Sequence, residues 1–306
     1  MLALLFAASV TLHGTWSAVV TGDRVQLNMV RDQSNWGTSY ARGEFATLSD
    51  SDINSPTEKP VAFSWNRDAG TIDFTGTFQN GEGVGRFNFT PNPAFVATLR
   101  SLGVPTDEPL DDENLFRLAM HGVTTAFIRD MQSLGYKENL ETYVRFRIHG
   151  VTPEFIRDMN ALGFKPNAEE AVRFRIHGVT PQFVRDIRGL GYTSLSGEDL
   201  VRFKIHGVSA DFVRDLRNLG YNSLSSEDLV RFRIHGVSAD FVRELRDLGY
   251  ASLSPEDLVR FRIHGVTPDY IRELASAGYH NIPADKLVQM RIRGIDAASL
   301  RQMSNQ

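Results

Sequence analysis

Residues 208–236 read VSADFVRDLRNLGYNSLSSEDLVRFRIHG, and residues 237–265 read VSADFVRELRDLGYASLSPEDLVRFRIHG. These two stretches differ at only four of their 29 positions. A constant period of this length is typical of repeat proteins, in which each unit covers the apolar face of its neighbour. The tripeptide His-Gly-Val marks the period at 28- or 29-residue spacing, and Arg293-Gly294-Ile295 continues it after His121, His149, His177, His206, His235 and His264.

Each repeat carries two sets of signals for the start and the end of a helix. Thr180 is a typical N-cap followed by Pro181, and that helix should end at Gly191. Ser196 and Asp199 have the spacing of a capping box, which Ser225/Asp228 and Ser254/Asp257 repeat. The second helix should end at Gly207, in the left-handed conformation that glycine adopts readily. The sequence therefore predicts two helices of about ten residues in every repeat.

The apolar side chains of one repeat need neighbouring repeats to cover them, because isolated helices shorter than about 12 residues are marginal in water. Residues 296–306 form a more polar half-repeat, which suggests a cap at the end of the array. The side chains that we expect to be buried in one repeat are Phe212, Val213, Leu216, Leu219, Tyr221, Leu224, Leu229, Val230, Phe232 and Ile234.

The part of the chain before residue 90 has the alternation and the turn residues of antiparallel strands. Asn80-Gly81 is typical of a two-residue hairpin, because both central residues of a type I′ turn have a positive φ. The sequence predicts about five or six strands, in a small sheet or a partial barrel. The alternating apolar residues are Val25, Leu27 and Met29, then Val61, Phe63 and Trp65, then Ile72, Phe74 and Phe78, and finally Phe87 and Phe89.

The predicted fold class is therefore α+β with two parts. Residues 11–89 form a small antiparallel β-sheet or partial barrel, and residues 90–306 form an αα-hairpin repeat solenoid of seven repeats and a half-repeat cap. Residues 1–10 contain an apolar run of the length found in signal peptides, although a first β-strand is the alternative. A signal would place the protein outside the cytoplasm or in the periplasm, and otherwise we expect it in the cytoplasm. We expect no transmembrane segment in the mature chain, since no later apolar run approaches about 20 residues.

Composition and motifs exclude several classes of function. The 306 residues include no cysteine, which excludes disulfides, thiolate metal sites and a cysteine nucleophile. The net charge of -4 gives no general attraction to nucleic acid. Common catalytic and nucleotide-binding motifs are absent, and near-identical repeats suit a periodic binding surface better than one asymmetric active site. We predict no enzyme, no catalytic residue, no cofactor and no metal.

The candidate binding surface consists of charged positions that recur in successive repeats. A repeated surface could bind a protein or an extended polymer through many weak contacts. One alternative is that these charged side chains only interact with water. Another is that the binding site lies on the sheet around Trp16 and Trp65. We expect the recurring histidines to cap helix C-termini, because histidines one repeat apart are too distant to share a metal ion. The candidate residues are Arg202, Asp211, Arg214, Arg217, Arg231, Asp240, Arg243 and Arg246.

A second hypothesis concerns nucleic acid. Residues 205–209, Ile-His-Gly-Val-Ser, followed by Val213 and Leu216, resemble the helix-hairpin-helix motif of DNA-binding proteins. Ser209 replaces the second glycine of that motif, and Val213 replaces its alanine. Because phosphate contacts supply most non-specific affinity, the nearly neutral charge makes nucleic acid the less favoured partner.

Residues 149–159, His-Gly-Val-Thr-Pro-Glu-Phe-Ile-Arg-Asp-Met, resemble the tandem repeats in soluble tails of bacterial BlaR-type membrane metallopeptidases and related envelope proteins. The resemblance covers about two thirds of the chain, and the sheet region that begins Gly14-Thr15-Trp16 is also similar. The peptidase and its zinc motif have no counterpart in this sequence. The resemblance implies an extracytoplasmic sensing or interaction module, and it brings no site residues with it.

Overall fold

A computed structural model describes residues 12–32, 34–45 and 47–304, with side chains as far as residue 301. The chain divides into two compact units, the first ending at Arg157 and the second beginning at Asp158. The apolar run at residues 2–10, which has the length of a signal peptide, lies outside the described residues.

The first unit contains one open, six-stranded antiparallel sheet, which confirms the predicted class of this region. Its strand order is β3-β2-β1-β6-β5-β4, so two three-stranded meanders are joined where β1 pairs with β6. Asn80 and Gly81 have φ of 50° and 86°, as the predicted hairpin requires. The strands are β1 Leu12–Thr21, β2 Arg24–Arg31, β3 Ser34–Ala41, β4 Lys59–Arg67, β5 Gly70–Gln79 and β6 Glu82–Pro91.

Trp16 explains two glycines that interrupt the strands. Its indole Nε1 donates to the carbonyls of Thr75 and Arg86 at 3.2 and 3.1 Å. A Cβ on Gly85 would lie 2.0 Å from the carbonyl oxygen of Thr75 and 2.7 Å from that nitrogen. A Cβ on Gly76 would lie 2.1 Å from the carbonyl oxygen of Val84 and 2.9 Å from the indole ring. These glycines therefore leave room for the close approach of β5 and β6 and for a buried tryptophan that ties β1 to its neighbour β6 and to β5 beyond it.

The sheet curls without closing, which agrees with the predicted partial barrel. Strands β3 and β4 form its two edges and do not pair with each other. The Tyr40 ring of β3 nevertheless lies 4.6 Å from the Trp65 ring of β4, and Phe45 lies 5.3 Å from Trp65. Phe45 belongs to a short 3-10 helix at Arg42–Phe45, which packs on β4 together with helix α1, Asp50–Ile53.

The helices begin directly after the sheet, where Asn92 caps α2 with its side-chain oxygen. Helix α3 packs on β5 and β6, and its Phe116 ring stacks 5.5 Å from that of Phe87. The helices are α2 Pro93–Ser101, α3 Asp112–His121, α4 Thr125–Ser133, α5 Leu140–His149, α6 Pro153–Ala161, α7 Ala168–Ile176, α8 Pro181–Gly189, α9 Gly197–His206, α10 Ala210–Asn218, α11 Ser226–His235, α12 Ala239–Asp247, α13 Pro255–His264, α14 Pro268–Ser276, α15 Ala284–Ile292 and α16 Ala297–Ser304.

The second unit stacks its helices in two layers. Helices α7, α9, α11, α13 and α15 pack in order, and α8, α10, α12, α14 and α16 pack in order beside them. This is the predicted helical-repeat solenoid. In the repeat at residues 208–236 the predicted apolar residues are buried or half-buried, except one.

That exception is Ile234, whose predicted burial is wrong: its side chain is 53% exposed. Ile234 follows Glu227 by seven residues and Arg231 by three. Two helical turns therefore carry it to the same solvent-facing stripe as those charged residues, away from the buried Leu229 and Val230.

The structure contains the helix caps that the sequence predicts. The Ser196 hydroxyl accepts from the amide of Asp199, and Asp199 accepts in return from the amide of Ser196, at 3.1 and 3.0 Å. Gly207 has φ of 72°, and the amide of Val208 donates to the carbonyl of Phe203 at 2.7 Å. At Ser254 the hydroxyl likewise accepts from the amide of Asp257, at 3.1 Å, but the full capping box of Ser196 and Ser225 is not formed.

Candidate interaction surface

Arg202 and Arg231, two of the predicted surface residues, connect neighbouring repeats. Arg202 pairs with Glu227 at 3.1 Å, and Arg231 pairs with Glu256 at 2.7 Å. Each pair links a second helix to the next second helix, 25 residues later. The same pairing recurs at Arg173–Glu198 and Arg260–Asp285, both at 2.8 Å. These arginines form a ladder of partly exposed ion pairs along the stack.

Arg217 and Arg246 connect repeats in a different way. Arg246 donates from Nη1 to the carbonyl of Leu219 at 2.8 Å, at the C-terminal end of the preceding first helix. Arg217 donates in the same way to the carbonyl of Leu190, and Arg188 donates to that of Leu162 at 2.7 Å. A cation is favourable there, because the last carbonyls of a helix lack intrahelical partners. Arg217 and Arg246, two of the candidate residues, therefore stabilise the stack of first helices.

The remaining four candidates pair within their own helices. Arg214 contacts Asp211, and Arg243 contacts Asp240, each across three residues on an exposed face. The structure therefore does not bring the eight predicted residues together in one site. Four of them join neighbouring repeats, and four form local ion pairs.

A tyrosine ladder accounts for another recurring polar group. The hydroxyls of Tyr192, Tyr221 and Tyr250 each donate, at 2.8 Å, to a carbonyl 32 residues later. Burial raises the pKa of all three phenols. These side chains therefore remain hydrogen-bond donors well into the alkaline range, and their recurrence is explained by stacking.

At the ends of the second helices, arginines of the next repeat bind the backbone carbonyls of the histidines. The carbonyls of His206 and His235 accept from Nε of Arg233 and Arg262, each at 3.3 Å. The cation that caps each helix is thus an arginine of the next repeat. Within residues 12–32, 34–45 and 47–301, no three histidine, aspartate or glutamate side chains are placed to share a metal ion.

The periodic feature that sequence reasoning missed is a row of exposed isoleucines. The second unit contains five such isoleucines, and their side chains are between 53 and 62% exposed. They occupy equivalent positions near the ends of helices that pack in order, about 8–10 Å apart. The seven-residue spacing from each preceding acidic residue was the available signal. This isoleucine column consists of Ile176, Ile205, Ile234, Ile263 and Ile292.

A row of cations precedes the isoleucines in the chain. Lys204, Arg233, Arg262 and Arg291 form this cation column. Each cation lies over an aromatic ring of the preceding first helix, at 4.7 to 5.0 Å from its centroid. No carboxylate in the described part of the second unit pairs with these four residues. The isoleucine column therefore lies beside positive charge that acidic side chains do not neutralise.

Neither membrane-spanning helices nor similarity to known proteins identifies a function for this chain. Among the residues that the structure describes, no helix has the length and apolar character needed to cross a membrane. The chain matches no protein-family model and no curated protein sequence.

Proposed function

We propose that this protein is a non-enzymatic repeat scaffold that binds a protein or an extended polymer along the isoleucine column and the cation column. The observation that carries the proposal is the repeated exposure of one large apolar side chain at the same position in five successive repeats. Burying an isoleucine is worth about 1.5–3 kcal/mol, so a row of exposed ones favours association with a partner.

The remaining periodic polar groups support this choice by elimination. The arginine and tyrosine ladders are already engaged between repeats, and the Asp211 and Asp240 carboxylates are engaged within their helices. Arg233 and Arg262 of the cation column also contact carbonyls and aromatic rings of the preceding repeat, but no carboxylate neutralises them. The isoleucines and these cations can therefore bind a partner that offers apolar and acidic groups at a regular spacing. Linked contacts of this kind gain affinity through effective concentration.

The resemblance of residues 149–159 to repeats in soluble tails of BlaR-type metallopeptidases supports the same proposal. It favours an extracytoplasmic interaction or sensing role, which applies if the apolar run at residues 2–10 is a signal peptide. Fractionation of the source cells would test the location, with the chain expected outside the cytoplasm.

The test compares two matched triple variants in affinity capture from the source organism. Ile205→Gln, Ile234→Gln and Ile263→Gln together remove three exposed apolar groups from the column. Arg185→Gln, Arg214→Gln and Arg243→Gln together change three exposed residues on the first helices. Both variants should melt like the wild type, because all six side chains are substantially exposed.

We expect the isoleucine variant to lose the captured partner and the arginine variant to retain it. Equal capture by the two variants would contradict the assignment of the surface.

The cation column also favours the second candidate, binding to a nucleic-acid backbone. Its four positive residues lie close to the turns, such as residues 205–209, that resemble the helix-hairpin-helix motif. The test is a titration of labelled duplex DNA at about 50 and 200 mM salt, where phosphate-dominated binding weakens steeply. Tight, salt-sensitive binding that Arg233→Gln and Arg262→Gln abolish would make DNA the partner. Its absence would exclude this candidate.

A further inference from the structure

The two edges of the sheet in the first unit are protected very differently. Strand β4 begins with Lys59 and Pro60, and helix α1 and the 3-10 helix pack against it. Charge, proline and covering elements are the usual means of preventing another strand from pairing with an edge. The β4 edge is therefore blocked.

Strand β3 is less protected, although the 3-10 helix that follows it contacts it and Arg24 of β2 donates to the carbonyl of Ser39 at 2.6 Å. Its sequence, residues 34–41, contains no charged residue and no proline. It pairs with β2 on one side, and no other described strand pairs with it. Alternate backbone amides and carbonyls on its outer side, apart from the Ser39 carbonyl that Arg24 occupies, are consequently open to a further strand.

A cleft of about 440 Å³ lies along this open edge. One wall is β3 itself, with Trp36, Thr38 and Tyr40, and the other is formed by the ends of α3 and α5, with His121, Arg147 and Ile148. Trp36 is held in place by an edge-on contact with Phe116, with ring centroids 5.2 Å apart. The cleft thus combines an unpaired strand, an anchored aromatic ring and the exposed side chain of Ile148.

The charge of the cleft is positive. Arg147 donates from Nε to the carbonyl of His121 at 3.2 Å, and no carboxylate in the described part of the first unit pairs with it. Burial, followed by the like charge of Arg67, lowers the pKa of Arg147. Burial, followed by the charge of Arg117, lowers the pKa of His121. Arg67 and Arg117 are themselves paired with Glu44 and Glu141, so Arg147 is the charge that an acidic group in the cleft would meet.

We propose that the edge of β3 binds an extended, acidic segment of a partner protein by strand addition, with a carboxylate of that segment on Arg147. Backbone bonds to β3 would supply sequence-independent affinity, and alternate side chains would enter the cleft. An acidic residue at one of these positions meets Arg147, and an apolar residue meets Trp36 or Ile148. This site is separate from the isoleucine column, and neither proposal depends on the other.

The experiment begins with the immobilised full-length protein and a phage-displayed library of random octapeptides. We expect enriched peptides to share an acidic residue flanked by strand-forming residues. A synthetic copy of the best peptide is then titrated calorimetrically. Binding should weaken about tenfold or more in Arg147→Gln, which removes the positive charge from the cleft, and in Thr38→Glu, which places a negative charge on the edge of β3.

Two variants serve as controls. Arg129→Gln removes an exposed arginine from α4, and the triple variant with Ile205, Ile234 and Ile263 changed to Gln alters only the second unit. Both should bind the peptide as the wild type does. Hydrogen exchange provides the second readout, since strand addition should slow the exchange of alternate amides in residues 34–41.

Several outcomes would overturn the proposal. They are the absence of enriched peptides, enrichment without an acidic residue, and binding that Arg147→Gln and Thr38→Glu leave unchanged. Binding without slower exchange in residues 34–41 would exclude strand addition. Displacement of the peptide by propionate at equal concentration would identify a site for small carboxylates instead. If only the isoleucine variant lost peptide binding, the peptide would belong to the scaffold surface and not to this cleft.

Discussion

At the scale of single residues, the glycine that ends each second helix determines where the chain reverses. Gly207, Gly236 and Gly265 have φ between 69° and 72°, a left-handed conformation that residues with a Cβ adopt only at a cost. The following amide then closes the helix by donating five residues back, as Val208 does to Phe203. The hairpin geometry of the repeats depends on this one conformation.

We therefore expect Gly207→Ala to destabilise the protein by about 1–2 kcal/mol, the usual cost of a left-handed residue with a side chain. Gly189→Ala is the matched control, because Gly189 lies in α8 without a positive φ, and its added Cβ would meet no neighbour. That substitution should be neutral or stabilising by up to about 1 kcal/mol. Chemical denaturation followed by circular dichroism measures both changes. Similar effects of the two substitutions would contradict the role assigned to Gly207.

The same scale shows what could be predicted from the sequence and what could not. Caps such as Ser196 with Asp199 depend on residues three positions apart, so the sequence alone identifies them. The exposure of Ile234 depends on which face of α11 meets its neighbours, and an apolar residue in a short helix does not reveal this. Arg147 in the cleft was equally hidden, because its surroundings come from three separate elements.

At the scale of elements, each repeat is held to the next by side chains that reach carbonyls at helix ends. Arg246 is such a link, since it donates to Leu219 at 2.8 Å. Arg243, on the same helix, pairs only with Asp240 on an exposed surface. The two arginines are three residues apart, so they offer a comparison between a link across repeats and a local ion pair.

We expect Arg246→Met to lower the free energy of unfolding by about 1.5–3 kcal/mol, because a charge-assisted bond to the end of α10 is lost. Arg243→Met should change it by no more than about 0.5 kcal/mol, as is usual for an exposed pair within a helix. Thermal melting and urea denaturation would measure both. If Arg243→Met were the more damaging substitution, the links between repeats would have to lie elsewhere.

Elements with a regular pattern were predictable, and those shaped by their surroundings were not. Strand β2 has the alternation of Val25, Leu27 and Met29, whereas β3 has polar residues and Gly37 where alternation would be expected. The 3-10 helix at Arg42–Phe45 and the short α1 have no periodicity of their own. They form because Phe45 and Ile53 are buried with the sheet. The edge-strand cleft was consequently invisible before the strand order was known.

At the scale of the whole molecule, the second unit behaves as a one-dimensional stack. Its ion-pair, arginine–carbonyl and tyrosine–carbonyl links each join one repeat to an adjacent one. Stability in such a stack is approximately a sum over repeats and their interfaces. Because residues 208–236 and 237–265 differ at only four positions, one repeat can replace the other in nearly every contact.

Deletion of residues 208–236 should therefore leave a folded protein. Gly207 would be followed by Val237, which stands in its repeat where Val208 stands in the deleted one. Arg202 would then meet Glu256 in place of Glu227, the Tyr192 hydroxyl would meet the carbonyl of Leu253, and Arg246 would meet that of Leu190. We expect helical circular dichroism to fall in proportion to the residues removed, with a melting midpoint only slightly lower.

The control deletes residues 208–222, which removes α10 alone and leaves the apolar face of α11 without a partner. That shorter deletion should abolish cooperative unfolding of the second unit, and equal damage from the two deletions would show that the repeats are not interchangeable.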